Sequence, residues 1–273
     1  MIGKPIAAFF CFSRDAVARG LLAMRVTPNM LTLLGMALTA GAGVCYATGS
    51  GDHIGGVLAP AFHDAGREDR SLYLLLAGAL LILSSACDML DGAVARLGNL
   101  KSRFGAFLDS TMDRYSDFAV YAGIALYYAW PGQTNVTFAF LAMLAFFNGF
   151  MIAYTRARAE DLIEQCKVGY WQRGERSAAL LIATFSFNIP ALLVQQAFLP
   201  LLTVLRRVFY TKAVIDGKTP ITDPRQGNWY LKARLWRWPR LTLVYDFVTA
   251  VNIAWLIFFP MPNRDYLREW LGG

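Results

Sequence analysis

Charge is scarce in this 273-residue chain: Asp, Glu, Lys and Arg together make up 16% of it, against 56% apolar residues. With a mean hydropathy of +0.39, that scarcity excludes an ordinary soluble domain, in which about a quarter of the residues are charged. Cysteine and histidine are thin as well. The four cysteines, Cys11, Cys45, Cys87 and Cys166, show no CxxC spacing, so they offer neither a zinc site nor a disulfide framework and read as small apolar fillers. The two histidines, His53 and His63, share a polar loop without paired ligand spacing and are given no role. Internal repeats, low-complexity tracts and nucleic-acid-binding motifs are all missing. The first 26 residues alternate apolar groups with Arg14, Asp15, Arg19 and Arg25, so no cleavable signal is expected. They read instead as an amphipathic helix lying along a membrane interface.

What the chain has in abundance is long apolar runs. A membrane-spanning helix needs about 20 mainly apolar residues, and six segments meet that template: 28–48, 72–98, 103–129, 136–158, 177–205 and 241–260. The expected fold is an all-α integral membrane protein, a six-transmembrane-helix bundle forming a single domain over 1–273. The net charge of +7 suits an anionic lipid surface or substrate rather than nucleic acid. Basic residues crowd the N-terminal segment and the connections 96–103 and 156–176, whereas 130–135 carries no charge. The positive-inside bias then places those basic connections, and both termini, on the cytoplasmic side of the cell membrane. The connection 49–71, with two Arg against four acids, fits the outer side. One stretch resists this scheme, because 206–240 holds nine Lys and Arg and six spans put it outside. Pro190 and Pro200 are expected to end the fifth span early, leaving a basic loop or insertion with Trp229, Trp236 and Trp238 as interfacial anchors.

Against this background the stretch CDMLDGAVARLGNLKSRFGAFLDSTMDRYSD, residues 87–117, stands out for its acids. An ionised Asp at a bilayer centre costs about 2.5–3.5 kcal/mol on insertion scales, so several together demand compensation. Asp88 and Asp91 are three apart and share a helix face, and Gly105, Asp109 and Asp113 form a stripe at spacing four on the next helix. Two facing stripes make one site at the turn between the second and third spans. Oxygen ligands without His or Cys select hard cations such as Mg²⁺ or Mn²⁺. Four carboxylates suffice for two ions, the arrangement that stabilises attacking and leaving oxygens in phosphoryl chemistry. Gly92 lets a bulky ligand approach the backbone beside Asp91, Arg96 offers a fork for phosphate, and Ala95 with Gly105 keeps the two helices close. Simple pairing of these acids with Lys101, Arg103 and Arg114 would not require the small residues.

The pattern Asp88-x2-Asp91-Gly92-x2-Ala95-Arg96-x8-Gly105-x3-Asp109-x3-Asp113 resembles, at all eight fixed positions, the signature of the CDP-alcohol phosphatidyltransferase family. The stretch RVTPNMLTLLG at 25–35 is similar to the start of that family's first span. The resemblance implies an enzyme that displaces CMP from CDP-diacylglycerol with the hydroxyl of a second alcohol, using two metal ions, and implies a homodimer. By the same resemblance Asp88, Asp91, Asp109 and Asp113 are metal ligands, with Asp113 also the general base. Asn29, Thr32, Asp88, Gly92, Arg96 and Gly105 meet the nucleotide.

The acceptor has to be read from the fourth and fifth spans. YTRARAEDLIEQCKVGYWQRGERSAALL, residues 154–181, clusters Arg156, Arg158, Lys167, Arg173 and Arg176, an anion-binding surface suited to an acceptor that itself carries phosphate. The positive-inside bias alone also produces basic clusters at such positions, and Glu160 is spaced to pair with Arg156. The segment resembles the phosphatidylinositol phosphate synthases within the family, which implies that Arg156 and Arg176 grip the phosphate of inositol phosphate. Glycerol 3-phosphate is the alternative phosphorylated acceptor. A divalent-cation transporter using the aspartates as a path is the alternative of a different class.

Overall fold

Caps set where the helices begin. Thr27 accepts a hydrogen bond from the Met30 amide (3.4 Å) ahead of Pro28, Ser102 accepts from the Gly105 amide (2.9 Å), and Asn135 accepts from the Phe138 amide (3.1 Å). Each satisfies an amide that has no partner within its own helix. The computed structural model describes residues 3–49, 72–131, 134–218, 229–236, 238, 240 and 242–272. The described residues are helical and loop only: α1 (Gly3–Ala23), α2 (Pro28–Thr48), α3 (Leu72–Leu97), α4 (Arg103–Ala129), α5 (Val136–Glu160), α6 (Arg173–Phe185), α7 (Ile189–Ile215), α8 (Trp229–Leu235), α9 (Leu243–Phe258) and α10 (Tyr266–Trp270). Four of these, α2, α3, α5 and α7, are long and apolar enough to cross a membrane, and the chain is an integral membrane protein. The acidic connection expected on the outer side, with His53 and His63, lies outside the described residues.

The bundle is organised around α2, which packs on α3 and α4, and around α5, which packs on α4 and α7. The core between them holds Ile124, Tyr128, Phe138, Leu192, Leu193 and Leu256, each almost fully buried. Helices α2 and α4 cross so closely that their backbones touch. A methyl group built on Gly123 would overlap the Gly43 carbonyl, and one built on Gly43 would overlap the Ala119 carbonyl. Small residues permit this approach, which is how helices associate where no hydrophobic force acts between them.

The expected fifth span, 177–205, is two helices. α6 ends at Ser186, Phe187 adopts a left-handed φ of +53°, and α7 restarts with Pro190 in its first turn, a position where proline's missing amide costs nothing. Asn188 in the break donates to the carbonyls of Leu256 (2.8 Å) and Phe259 (3.0 Å), closing the end of α9. Nor does Pro200 end the helix. α7 runs through it to Ile215, and Asn148 of α5 donates to the Ala197 carbonyl (2.6 Å) one turn below, satisfying backbone near the proline. Residues 206–215 are therefore helical rather than part of a loop.

This break changes the topology. Chain direction reverses at 186–188, so α7 brings Arg206 and Arg207 back to the end of the bundle that holds the aspartates. There Arg207 donates to the Ile152 and Val168 carbonyls and to Gln172. The described part of the segment expected on the far side lies with the other basic connections. Trp236, expected as an interfacial anchor, packs inward, edge-on to Tyr170 at 5.4 Å and under Arg206 at 5.7 Å. Trp229 is exposed. α9 then leads away, and Asp265 at the start of α10 accepts from the amides of Val136 (2.9 Å) and Thr137 (3.1 Å) at the opposite end. The expectation of both termini on one side is thereby corrected: α1 packs on α3 at the acidic end through Ala18, Leu22, Ala93 and Val94, and α10 sits at the other.

The glycine contact is directly testable. Gly123→Ala should lower the stability of the purified protein in detergent by about 1–3 kcal/mol, the usual cost of overpacking, seen as a reduced thermal midpoint. An unchanged midpoint would show that α2 and α4 can separate at no cost.

Candidate active site

Asp88 and Asp91 lie one helical turn apart on α3, facing Asp109 on α4. One carboxylate oxygen from each of the three lies within 4.8 Å of the other two. Unit charges at that separation repel by roughly 3 kcal/mol at an effective dielectric of ~20, a repulsion that positive charge at the centre would relieve. Thr32 of α2 donates to Asp91 Oδ2 (2.9 Å) and fixes its orientation. Asp113, one turn beyond Asp109, stands at the edge of the group. Arg173 at the start of α6 joins the two sides, its Nη1 3.1 Å from Asp88 Oδ1 and its Nη2 2.6 Å from Asp113 Oδ1, and Arg114 adds a longer contact to Asp113 at 3.6 Å. One guanidinium between Asp88 and Asp113 leaves the cluster with excess negative charge. An oxygen-only donor set of this kind fits a hard divalent ion.

Two cavities flank the carboxylates. The first, about 560 Å³, is walled by Asn29, Thr32, Asp91, Gly92, Arg96, Gly105 and Asp109, with Lys101 and Arg103 at its mouth. It gathers every nucleotide-contacting residue expected from the sequence except Asp88. Gly105 faces Asn29: a methyl there would lie in ordinary contact with Asn29 Oδ1 at 3.4 Å and press on the capping Ser102 Oγ at 3.0 Å. The second cavity, about 510 Å³, lies between α2, α3, α4 and α6 and is lined by Asp88, Ser84, Ser116, Asp117, Tyr121, Arg173 and Arg176 among others.

The basic side of the site is only partly as expected. Arg176 is buried and its Nη2 lies 3.0 Å from Asp117 Oδ2. Arg156 is more open and bonds Glu160 at 2.9 Å one turn along its own helix, the local pairing that the spacing permits. Two residues were missed. Asp117 continues the stripe 105, 109, 113 by one more turn, so its spacing was a usable signal. Arg207 is almost fully buried and has Arg156 and Arg176 as like-charged neighbours. It also bonds Gln172 Oε1 at 2.9 Å, the residue preceding α6. Its only signal was an arginine following an apolar run with a proline in it.

The CDP-alcohol phosphatidyltransferase family model matches residues 25–211. The chain belongs to this family. It is a transferase, and the matched span contains the acidic cluster, both cavities and the arginines of α5, α6 and α7. Among related proteins, the phosphatidylinositol phosphate synthase of Streptomyces avermitilis is 31% identical over 249 residues, covering 84% of this chain and 91% of that one. Among solved structures, the Mycobacterium tuberculosis phosphatidylinositol phosphate synthase with CDP-DAG bound superposes with a TM-score of 0.59 at 26% identity, covering 72% of this chain and 92% of the other. The same enzyme in complex with manganese and citrate superposes equally well, at 0.59 and 26%, with coverages of 79% and 96%. Residues beyond 211, including α8, α9 and α10, lie outside the family match.

For this phosphatidyltransferase the acidic cluster makes a metal-binding prediction independent of turnover. Titrated with Mn²⁺ and followed by electron paramagnetic resonance, the protein should bind the ion, and Asp91→Asn should weaken binding by about tenfold or more, since affinity follows the charge count of the ligands. Equal binding by the two proteins would remove Asp91 from the ligand set.

Proposed function

We propose that this protein transfers the phosphatidyl group of CDP-diacylglycerol to a hydroxyl of a phosphorylated alcohol, inositol phosphate, with release of CMP. The observation that carries this reading is the placement of the carboxylates between two differently equipped cavities, a nucleotide-type pocket on one side and an arginine-lined space on the other. The names of its relatives point to the same acceptor. Asn29, Thr32, Gly92, Arg96 and Gly105 hold the cytidine diphosphate, with Arg96 placed to meet phosphate oxygens. Asp88, Asp91 and Asp109, joined by Asp113, hold Mg²⁺ or Mn²⁺, two ions by the family resemblance. Bound there, the metal neutralises pyrophosphate charge and makes CMP a better leaving group.

Asp113 takes the proton of the acceptor hydroxyl as its oxygen attacks the phosphorus that carries the diacylglycerol, and the bond from that phosphorus to CMP breaks. Arg176 and Arg156, with Arg207 between them in charge, hold the acceptor's own phosphate. The basic residues of 96–103, 156–176 and the described part of 206–240 all gather at the acidic end. By the positive-inside bias that end faces the cytoplasm, with α1 along the interface. The six expected spans correspond to α2, α3, α4, α5, the pair α6 and α7, and α9. The short α6, with 13 residues, is about 20 Å long at 1.5 Å per residue.

Two experiments test this reading. Asp113→Asn should abolish turnover while CDP-diacylglycerol and Mn²⁺ still bind, because three carboxylates remain, and near-normal turnover would sink the base assignment. Purified protein supplied with CDP-diacylglycerol, Mg²⁺ or Mn²⁺ and a panel of alcohols should convert inositol phosphate, identified by product mass. In that assay Arg176→Ala should raise the acceptor KM by about one to two decades, the worth of a lost charge-assisted hydrogen bond. Arg156→Ala should have the smaller effect, since its guanidinium is more exposed. Conversion of uncharged alcohols alone would overturn the acceptor.

A further inference from the structure

Glu175 lies in the first turn of α6 between Arg173 and Arg176, yet it turns away from them toward the C-terminal part of the chain. Its side chain is 6% exposed, and a single oxygen, Oε1, accepts three hydrogen bonds: from Arg240 Nε (3.0 Å), Arg240 Nη2 (2.8 Å) and the Tyr245 hydroxyl (2.5 Å). The Glu175 charge holds Arg240 above the ordinary arginine range. Gly174 leaves room for this contact, since a methyl there would sit 3.2 Å from Arg240 Nη2. Two neighbouring ties run the same way. The Gly169 amide donates to the Leu235 carbonyl (3.2 Å), and Tyr170 pairs with Thr249 (3.0 Å).

We propose that Arg240 and Tyr245, through Glu175, position Arg173 and Arg176 for the acceptor, so that the C-terminal segment outside the family match sets the angle of α6 about its own axis. This rests on the acceptor reading given above. Residues 173 and 176, three apart, share one face of α6, and residue 175 stands about 100° from 176 around the axis. One face is drawn toward Asp88, Asp113 and Asp117 and the other toward Arg240 and Tyr245, and the two pulls together resist rotation. A cation entering the carboxylates competes with Arg173 for Asp88 and Asp113 and slackens the first pull. In the metal-loaded enzyme Glu175, together with the Arg176–Asp117 pair, is then what keeps Arg176 aimed at the acceptor. Arg240 touches neither substrate nor metal in this scheme and is a positioning residue.

Steady-state kinetics of the full-length protein separate this role from general support. With CDP-diacylglycerol, Mn²⁺ and inositol phosphate, Arg240→Ala and Glu175→Gln should each raise the acceptor KM about tenfold, the size of one lost charge-assisted hydrogen bond, and leave the KM for CDP-diacylglycerol within about twofold. The double variant should be no worse than the worse single one, because both remove the same contact. Arg240→Lys, which restores the charge without the fork, should recover part of the loss. Additive effects in the double variant, unchanged acceptor KM, or a parallel loss of both KM values and of Mn²⁺ binding would overturn the proposal. The wild-type acceptor panel separates it from the reading it rests on. If the wild type uses only an unphosphorylated alcohol, the acceptor assignment fails by itself, and the clasp is judged on the KM for that alcohol.

Discussion

Mutual repulsion among carboxylates held at one end of an apolar bundle is the constraint around which this molecule is arranged. Asp88, Asp91 and Asp109 present oxygens within 4.8 Å of one another, close enough that nearby positive charge and hydrogen-bond donors stabilise them. Everything nearby answers that requirement. Thr32 gives Asp91 a hydrogen bond, Arg173 spans Asp88 and Asp113, and Arg176 meets Asp117 a turn further in. The same excess of negative charge fits a hard divalent ion, which on the proposed function would neutralise the pyrophosphate of the donor lipid. Catalytic capacity and structural demand thus come from the same side chains.

The protein meets this demand differently on its two sides. Toward α2, the site is walled by Asn29, Thr32 and Gly105, and farther along the bundle α2 and α4 meet at Gly43 and Gly123. Toward α6, it is walled by Arg173 and Arg176, and two further arginines tie that side to distant parts of the chain. Arg207 reaches from α7 to Gln172, and Arg240 reaches from beyond α8 to Glu175. Buried arginines in a membrane bundle are costly unless their donors are satisfied, and Arg207 meets that condition with two carbonyls and an amide oxygen.

Much of this was legible in the sequence, because its strongest signals are local. Helical spacing alone placed Asp88 and Asp91 on one face and Gly105, Asp109 and Asp113 on another, and the spans 28–48 and 103–129 coincide with α2 and α4. What stayed hidden depends on tertiary contact. Pro190 and Pro200 look alike in a sequence, yet one opens a helix after a reversal and the other sits inside a helix, where Asn148 supports the neighbouring carbonyl. Once the reversal at 186–188 is known, the basic stretch from 206 joins the other basic connections. Arg207 and Arg240 could not be assigned, since their partners lie 35 and 65 residues away in the chain. Asp117 was available from the four-residue stripe and was passed over because it lies beyond the recognised motif.

The backbone contact between Gly43 and Gly123 has a consequence for how such an enzyme changes over evolutionary time. It locks α2 to α4, the two helices that carry Asn29, Thr32, Gly105 and Asp109, so the donor side of the site behaves as one stiff piece. The proposed acceptor side draws on Arg156, Arg176 and Arg207 from three other helices. On the function proposed above, substitutions there would change the fit of the acceptor and leave the contact between α2 and α4 in place.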